Sequence, residues 1–502
     1  MRTLPPRLLH LGALGGLASC LLALAACSDS IHLDPQPTPP GSGGFGAGGE
    51  GGGAPVSCVS NSDCPAPMAV CDEVQRVCVE CLEVKDCIFR PGTVCSQGEC
   101  RCPVEGESFC EPLGNQAARC VDLSASPADC GVCGHACFGA CNAGACADPW
   151  EPTSLVNAPS PRWHHTAVWT GSQMIIWGGD SDGYTNTGGI YDLAANAWTS
   201  TSTANAPSPR AHATAIWTGS RMIIWGGYNG GPLGDGGIFD PVTNTWTALP
   251  AGSGAPTARW VHTAVWTGSK MIIWGGWDNA SILGDGAIFT PAMDGSGGTW
   301  SPVELGGSPP AARREHTAVW ASAGAGGSPR MLVFGGIGAA GVPLGDGSAY
   351  DVGQAWSMLA PGNAPWLRHR HTAVWTGADM LIWGGFDSAS LLGNGKEYNL
   401  ISNAWVDMSD PSPSPRQEHT AVWIGSPVSR MVMWGGQDNA GYLGTGGLYD
   451  PVTNIWTKAM PTAPLPRAKH TAVVADTRMI IWGGDVFGAR TNTGGVFDAE
   501  GQ

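Results

Sequence analysis

From residue 150 onward, short apolar runs alternate with turn residues in a recurring order. One run has the form His262-Thr263-Ala264-Val265-Trp266, followed by the tight turn Thr267-Gly268-Ser269. A continuous apolar run, Met271-Ile272-Ile273-Trp274, then ends in Gly275-Gly276. A longer loop leads to a third run of the kind Gly237-Ile238-Phe239-Asp240. A Pro-x-Thr-Asn turn gives the fourth, which carries a Trp, as in Val242-Thr243-Asn244-Thr245-Trp246. Short runs rich in β-branched and aromatic residues, split by Gly, Pro, Asn and Ser, predict a four-stranded antiparallel meander.

The unit recurs seven times at intervals of 48 to 55 residues. Each begins with a Pro/Ser-rich loop and an arginine: Arg162, Arg210, Arg259, Arg313, Arg368, Arg416 and Arg467. The double glycine falls at 178–179, 226–227, 275–276, 335–336, 384–385, 435–436 and 483–484. A third-strand aromatic and a fourth-strand Trp pair as Tyr191/Trp198, Phe239/Trp246, Tyr398/Trp405 and Tyr449/Trp456. Phe289/Trp300 carries an insertion and Tyr350/Trp356 a deletion. One such sheet cannot bury both faces, whereas several packed radially can. These motifs resemble kelch repeats over about 350 residues. The resemblance implies an all-β fold, a seven-bladed kelch-type β-propeller over 147–502, expected to be monomeric. The seventh repeat stops at Phe497 without a fourth-strand Trp, and Trp150 has the matching context. Residues near Trp150 are therefore expected to supply the outer strand of the last blade and remove two exposed edges.

Composition separates the rest of the chain from this region. Charged residues are scarce at 13%, Gly numbers 75, and the net charge is −16. No segment is basic, so a nucleic-acid partner is excluded. Residues 1–27 read as a signal peptide: Arg2 and Arg7 precede an apolar run from Leu8 to Ala26. Leu24-Ala25-Ala26-Cys27 resembles the lipobox of bacterial lipoproteins, which implies lipidation at Cys27 and a membrane anchor. Leu17-Ala18-Ser19-Cys20 fits the pattern too, but more apolar residues follow it. The implied location is the bacterial cell envelope, on the outer membrane or cell surface and outside the cytoplasm. Residues 28–57, rich in Pro, Gly and Ser, read as a flexible tether. Residues 58–146 hold sixteen cysteines and the propeller region holds none. Two similar units, Cys58–Cys78 and Cys81–Cys100, precede a different block, Cys102–Cys146. That density after an export signal predicts a small disulfide-rich domain. The spacings Cys78-x2-Cys81 and Cys130-x2-Cys133 also fit zinc ligation or redox pairs. The stretch Asp129 to Cys137 resembles Cys-Gly-x-Cys-Gly runs of myxobacterial surface lipoproteins.

Candidate chemistry divides into what repeats and what varies. Six repeats carry Arg-x-x-His-Thr, with His165, His262, His316, His371, His419 and His470. A residue repeated blade after blade does the same packing task in each, so these histidines, the arginines and the tryptophans are read as scaffold. Function is expected where the repeats differ, in the loops joining strands four to one and two to three. The variable positions there place Trp163, His164, Tyr228, Trp260, Trp277, Arg314, Glu315, Trp366, His369, Arg370 and Phe386 on one candidate ligand face. Aromatics mixed with Arg, His and Glu suit a protein or glycan ligand. No catalytic or metal-binding residue is assigned, and no cofactor. Copper-radical sugar oxidases and sialic-acid mutarotases are kelch-like, but the propeller lacks the Cys of the first and an acid/base constellation for the second. The leading expectation is a binding or scaffold protein. A carbohydrate-active enzyme and a purely structural surface protein are the alternatives.

Overall fold

The computed structural model describes residues 150–500 except 293–294, 296, 323–327, 410–411 and 461–463, and some short strands between 70 and 146. The expected signal peptide, the Cys27 lipidation and the tether lie outside the described residues, as does the pairing of the cysteines. Between 70 and 146 the described backbone forms hairpins. Val70–Asp72 pairs with Val77–Val79 and Val94–Ser96 with Glu99–Arg101, at matching places in the two similar cysteine units. Ser108–Cys110 pairs with Arg119–Val121, and Cys141–Asn142 with Ala145–Cys146.

From 150 on, seven four-stranded antiparallel sheets follow one another, and no helix occurs among the described residues. In blade 1 the order is Thr166–Trp169, Gln173–Trp177, Gly188–Asp192 and Ala197–Ser200. The first strands of successive blades lie side by side around a channel, and that of blade 7, Thr471–Ala475, lies beside that of blade 1. Second strands such as Met271–Trp274 are buried at every residue. That is why they read as continuous apolar runs rather than alternating ones. Each hydrophobic cluster draws on two neighbouring blades. Val168, Ile175, Trp177 and Ile190 of blade 1, for example, meet Met222, Ile224, Phe239 and Trp246 of blade 2.

The ring closes through the strand Trp150–Pro152, which is the fourth strand of blade 7. It pairs with Gly494–Asp498, setting Trp150 opposite Phe497, Glu151 opposite Val496 and Pro152 opposite Gly495. The Trp150 side chain is fully buried, 5.2 Å from the Phe497 ring and 5.4 Å from Trp434 of blade 6. A residue at the start of the propeller thus fills the seam between its last two blades.

Each repeat also encloses a buried arginine. Arg259 is fully buried; its Nε donates to the Thr257 carbonyl at 2.9 Å, and one terminal nitrogen donates to the carbonyls of Gly275 at 3.0 Å and Asp285 at 3.1 Å. All seven arginines reach the first Gly of their double glycine in this way. Burial lowers the pKa of Arg162, Arg368, Arg416 and Arg467 to about 10, which leaves them charged at neutral pH. The double glycine is sterically required. A Cβ on Gly275 would stand 2.6 Å from the Arg313 carbonyl oxygen, and one on Gly276 2.8 Å from the His262 Cβ.

Two blades depart from the pattern. In blades 1, 5 and 6 the third-strand Tyr hydroxyl donates to an Asn five residues on, at 2.8, 2.6 and 2.9 Å. The deletion in blade 4 removes that Asn, and the buried Tyr350 hydroxyl is left without a partner. In blade 5 the third strand reads Gly395-Lys396-Glu397-Tyr398-Asn399. Glu397 occupies the position of Ile190, Ile238, Ile288, Ala349, Leu448 and Val496 elsewhere. Burial, then the charge and hydrogen bond of Asp379, push its pKa up to about 7. Asp379 accepts from the Asn399 amide at 2.6 Å, and burial, with the charge of Glu397 added to it, raises the pKa of Tyr449 in blade 6.

Two outcomes follow from this packing. Trp150→Ala should cost about 3–5 kcal/mol, and a chain beginning at Val156 should melt well below the full chain; unchanged thermal unfolding of either would contradict closure by this strand. Glu397 binds its proton more tightly in the folded state than in the unfolded chain. Its contribution is therefore fully present below the ordinary Glu pKa and is lost as pH rises through about 7. Glu397→Leu should raise Tm more at about pH 8 than at about pH 5; an equal gain at both would contradict the titration.

Candidate functional site

The two classes of long loop meet on one face because they pair with each other. The residue after each repeat arginine bridges to the residue after the double glycine. The pairs are Trp163 with Asp180, Ala211 with Tyr228, Trp260 with Trp277, Arg314 with Ile337, His369 with Phe386, Gln417 with Gln437 and Ala468 with Asp485. Positions some seventeen or more residues apart in sequence thus become neighbours in every blade.

The next residue in each repeat forms a ring. His164, His212, Val261, Glu315, Arg370, Glu418 and Lys469 all have positive φ, between 49° and 58°. None is glycine, and left-handed backbone is unfavourable for such residues, most of all for Val261. The geometry is held by hydrogen bonds between blades. The amide of His212 donates to the His164 carbonyl at 3.0 Å, that of Glu315 to Val261 at 3.2 Å, and that of Arg370 to Glu315 at 3.4 Å. Six of these side chains, all but His212, line a mouth of about 330 Å³ at one end of the central channel.

The walls of this mouth divide by chemistry. Over blades 1 to 3 the side chains form an aromatic band. His164 stacks on His212 at 3.9 Å, His212 lies 5.2 Å from Trp260, and Trp260 lies 5.0 Å from Tyr228 and 5.3 Å from Trp277. Trp163 joins at 6.5 Å from His164. Burial lowers the pKa of His164 to about 2 and of His212 to about 4, so both rings are neutral. Cations sit over the band's ends: Arg314 over Trp277 at 4.9 Å, and Lys469 and Arg490 over Trp163 at 5.0 and 4.5 Å.

Over blades 4 to 7 the mouth is ionic. Arg314 donates to one Glu315 oxygen at 3.0 Å, while His369 Nδ1 and Arg370 Nε reach the other at 3.0 and 2.8 Å. Burial alone would raise the pKa of Glu315; the hydrogen bond from His369 and the two guanidinium groups overcome it and hold the group at about 2. Arg370 extends to Glu418 at 3.3 Å, and Lys469 holds Asp485 at 3.1 Å. Phe386 lies against His369 at 5.7 Å.

Ten of the eleven residues read from the sequence as a ligand face are thus joined through these contacts. Trp366 is not: it stands 71% exposed and meets none of these rings. Sequence reasoning did not select His212, Glu418, Lys469 or Asp485. The signal was present for the first three, since they share the repeat position of His164, Glu315 and Arg370.

The recurrent histidines lie beneath the mouth. Each Nε2 meets a Thr hydroxyl of the preceding blade at 2.8 to 2.9 Å, as in His262 with Thr214 and His165 with Thr471. Burial, reinforced by the adjacent arginine, keeps all six neutral. No group of three or more His, Cys, Asp or Glu positioned for a metal occurs among the described residues. The tryptophans pack on the seams between blades, as the sequence reading expects of scaffold, but to different depths. Trp177, Trp225, Trp274, Trp383, Trp434 and Trp482 are buried. First-strand Trp169, Trp217, Trp266, Trp320, Trp375 and Trp423 are half-buried and ring the channel's other opening, about 520 Å³ in volume. The end of a strand facing the channel has no neighbour to cover it.

Comparison with known proteins agrees with this geometry. The KLHDC2/KLHL20/DRC7 Kelch-repeats domain matches residues 148–276, 261–425 and 406–502, which together span the whole propeller. The chain belongs to this kelch family. Human Host cell factor 2 is 32% identical over 163 residues, covering 28% of this chain and 20% of that protein. The matched part of the chain thus spans about a fifth of that relative's length.

Proposed function

We propose that this kelch propeller is a non-enzymatic binding module that recognises a protein partner through the mouth face. The observation that carries the reading is the aromatic band of Trp163, Trp260, Tyr228 and Trp277 set beside the Glu315–Arg370–Glu418 ion-pair cluster. Both sit on loops that break the repeat, and the rigid repeat holds them in place. Large aromatics and arginines at the centre of a concave surface are what protein interfaces use as anchors. Kelch propellers generally bind proteins, which supports the same reading. The acids and bases of the mouth are engaged with one another rather than poised toward a reacting atom, which favours recognition over catalysis. In this reading the segment ending at Cys27 is a lipid anchor, and the propeller is held outside the cytoplasm by the proline- and glycine-rich tether and the cysteine-rich region.

Alanine at both Trp163 and Trp260 should abolish capture of partners from a cell-envelope extract by the immobilised full chain, with thermal unfolding shifted little. Capture of the same proteins by wild type and variant would move the site off this face.

A further inference from the structure

The chemistry of the partner can be taken one step further, on the basis that the mouth is a protein-binding site. Charge alone does not choose a ligand there. Glu315, Glu418 and Asp485 balance Arg314, Arg370 and Lys469. Unused hydrogen-bonding capacity does choose. Each of those cations already holds a carboxylate, and Glu315 has donors on both oxygens.

Glu418 does not. Its Oε1 faces Arg370, but its Oε2 is buried with no donor, and the Oε1 of the adjacent Gln417 is in the same state. Burial raises the pKa of Glu418 despite the attraction of Arg370 and Lys469, so its carboxylate is under-compensated. A buried acceptor left unsatisfied costs about 1–3 kcal/mol, more when it is charged. Of the other buried polar atoms without a partner, Arg490 Nε belongs to a guanidinium that already holds Asp180 and Asp182 and stacks on Trp163, and the neutral histidines lining the mouth leave Nδ1 unpaired. What the mouth lacks is a donor-rich cation. The opposite wall suits the same guest, because the indoles at both ends of the aromatic band already carry cations on their faces.

We propose that the mouth receives a basic side chain of the protein partner, with the Glu418 carboxylate as its anchor. A guanidinium suits this carboxylate better than an ammonium, since its planar fork presents several N–H groups at once. The side chain would enter the mouth between Glu418 and His164, both of which line it.

A random heptapeptide library displayed on phage, selected on the full chain and on Glu418→Gln, tests this. Gln keeps the shape and removes the charge, and equal melting temperatures establish that both proteins are folded. Wild type should enrich peptides bearing Arg or Lys. A synthetic copy of an enriched peptide should bind Glu418→Gln at least about tenfold more weakly, and replacing its Arg by Glu should abolish binding to wild type. Enrichment of acidic or uncharged peptides that still need Trp163 and Trp260 would overturn the cation assignment while leaving the protein-binding reading intact. So would an Arg peptide that binds wild type and Glu418→Gln equally. A library from which nothing is enriched would count against both.

Discussion

The fully buried arginine of each blade is the interaction on which the rest depends. A guanidinium at that depth is tolerated only when its donors are satisfied. Here they are met by backbone carbonyls of two loops that are distant in sequence. Arg368 spans the Trp366, Gly384 and Asn394 carbonyls and the Asn394 side chain. One charge thus pins the loop that enters the blade to the loop between its second and third strands. The residue after the arginine then pairs with the residue after the double glycine, and the next residue turns left-handed into the ring at the mouth. The positions of His369 and Arg370 are consequences of how Arg368 is held.

This arrangement separates the repeated scaffold from the variable mouth. The repeated Arg, His and Gly-Gly side chains and backbone are consumed in holding one another. Each recurrent histidine beneath the ring is tied to a Thr of the preceding blade, and in blade 2, where Ala213 replaces the histidine, Thr166 bonds to the Trp177 carbonyl within its own blade. What faces outward at the mouth is therefore free to vary. The chain has used that freedom to divide the ring into an aromatic half and an ionic half rather than to repeat one chemistry seven times.

Much of this was legible in the sequence because propeller packing repeats its own constraints. Gly-Gly, the arginines and the paired aromatics recur since every seam poses the same steric problem, and Trp150 is recognisable as the missing fourth-strand residue of blade 7. Individual contacts were less legible. Trp366 lies in a variable loop like the other candidates, yet it sits two residues before its arginine, outside the segment that turns into the ring. The half-buried first-strand tryptophans recur as regularly as the buried second-strand ones. Only the closing of the strands around a channel distinguishes them. Glu397 sits beside Lys396 at third-strand positions that are apolar or small-residue in the other blades, and its unusual environment depends on burial and on Asp379 across the sheet.

The buried arginines place the loops that form the mouth. Hydrogen–deuterium exchange on Arg368→Leu, compared with the wild-type chain, tests this most directly. The substitution leaves the carbonyls of Gly384 and Asn394 without their donor, at a cost on the order of 3 kcal/mol. Exchange should accelerate in the loops spanning 366–371 and 384–394 and at the mouth residues Glu315 and Arg370, while blades 1 and 2 keep their protection. Unchanged protection in those loops would mean that the backbone pairings alone hold the mouth and would contradict the account.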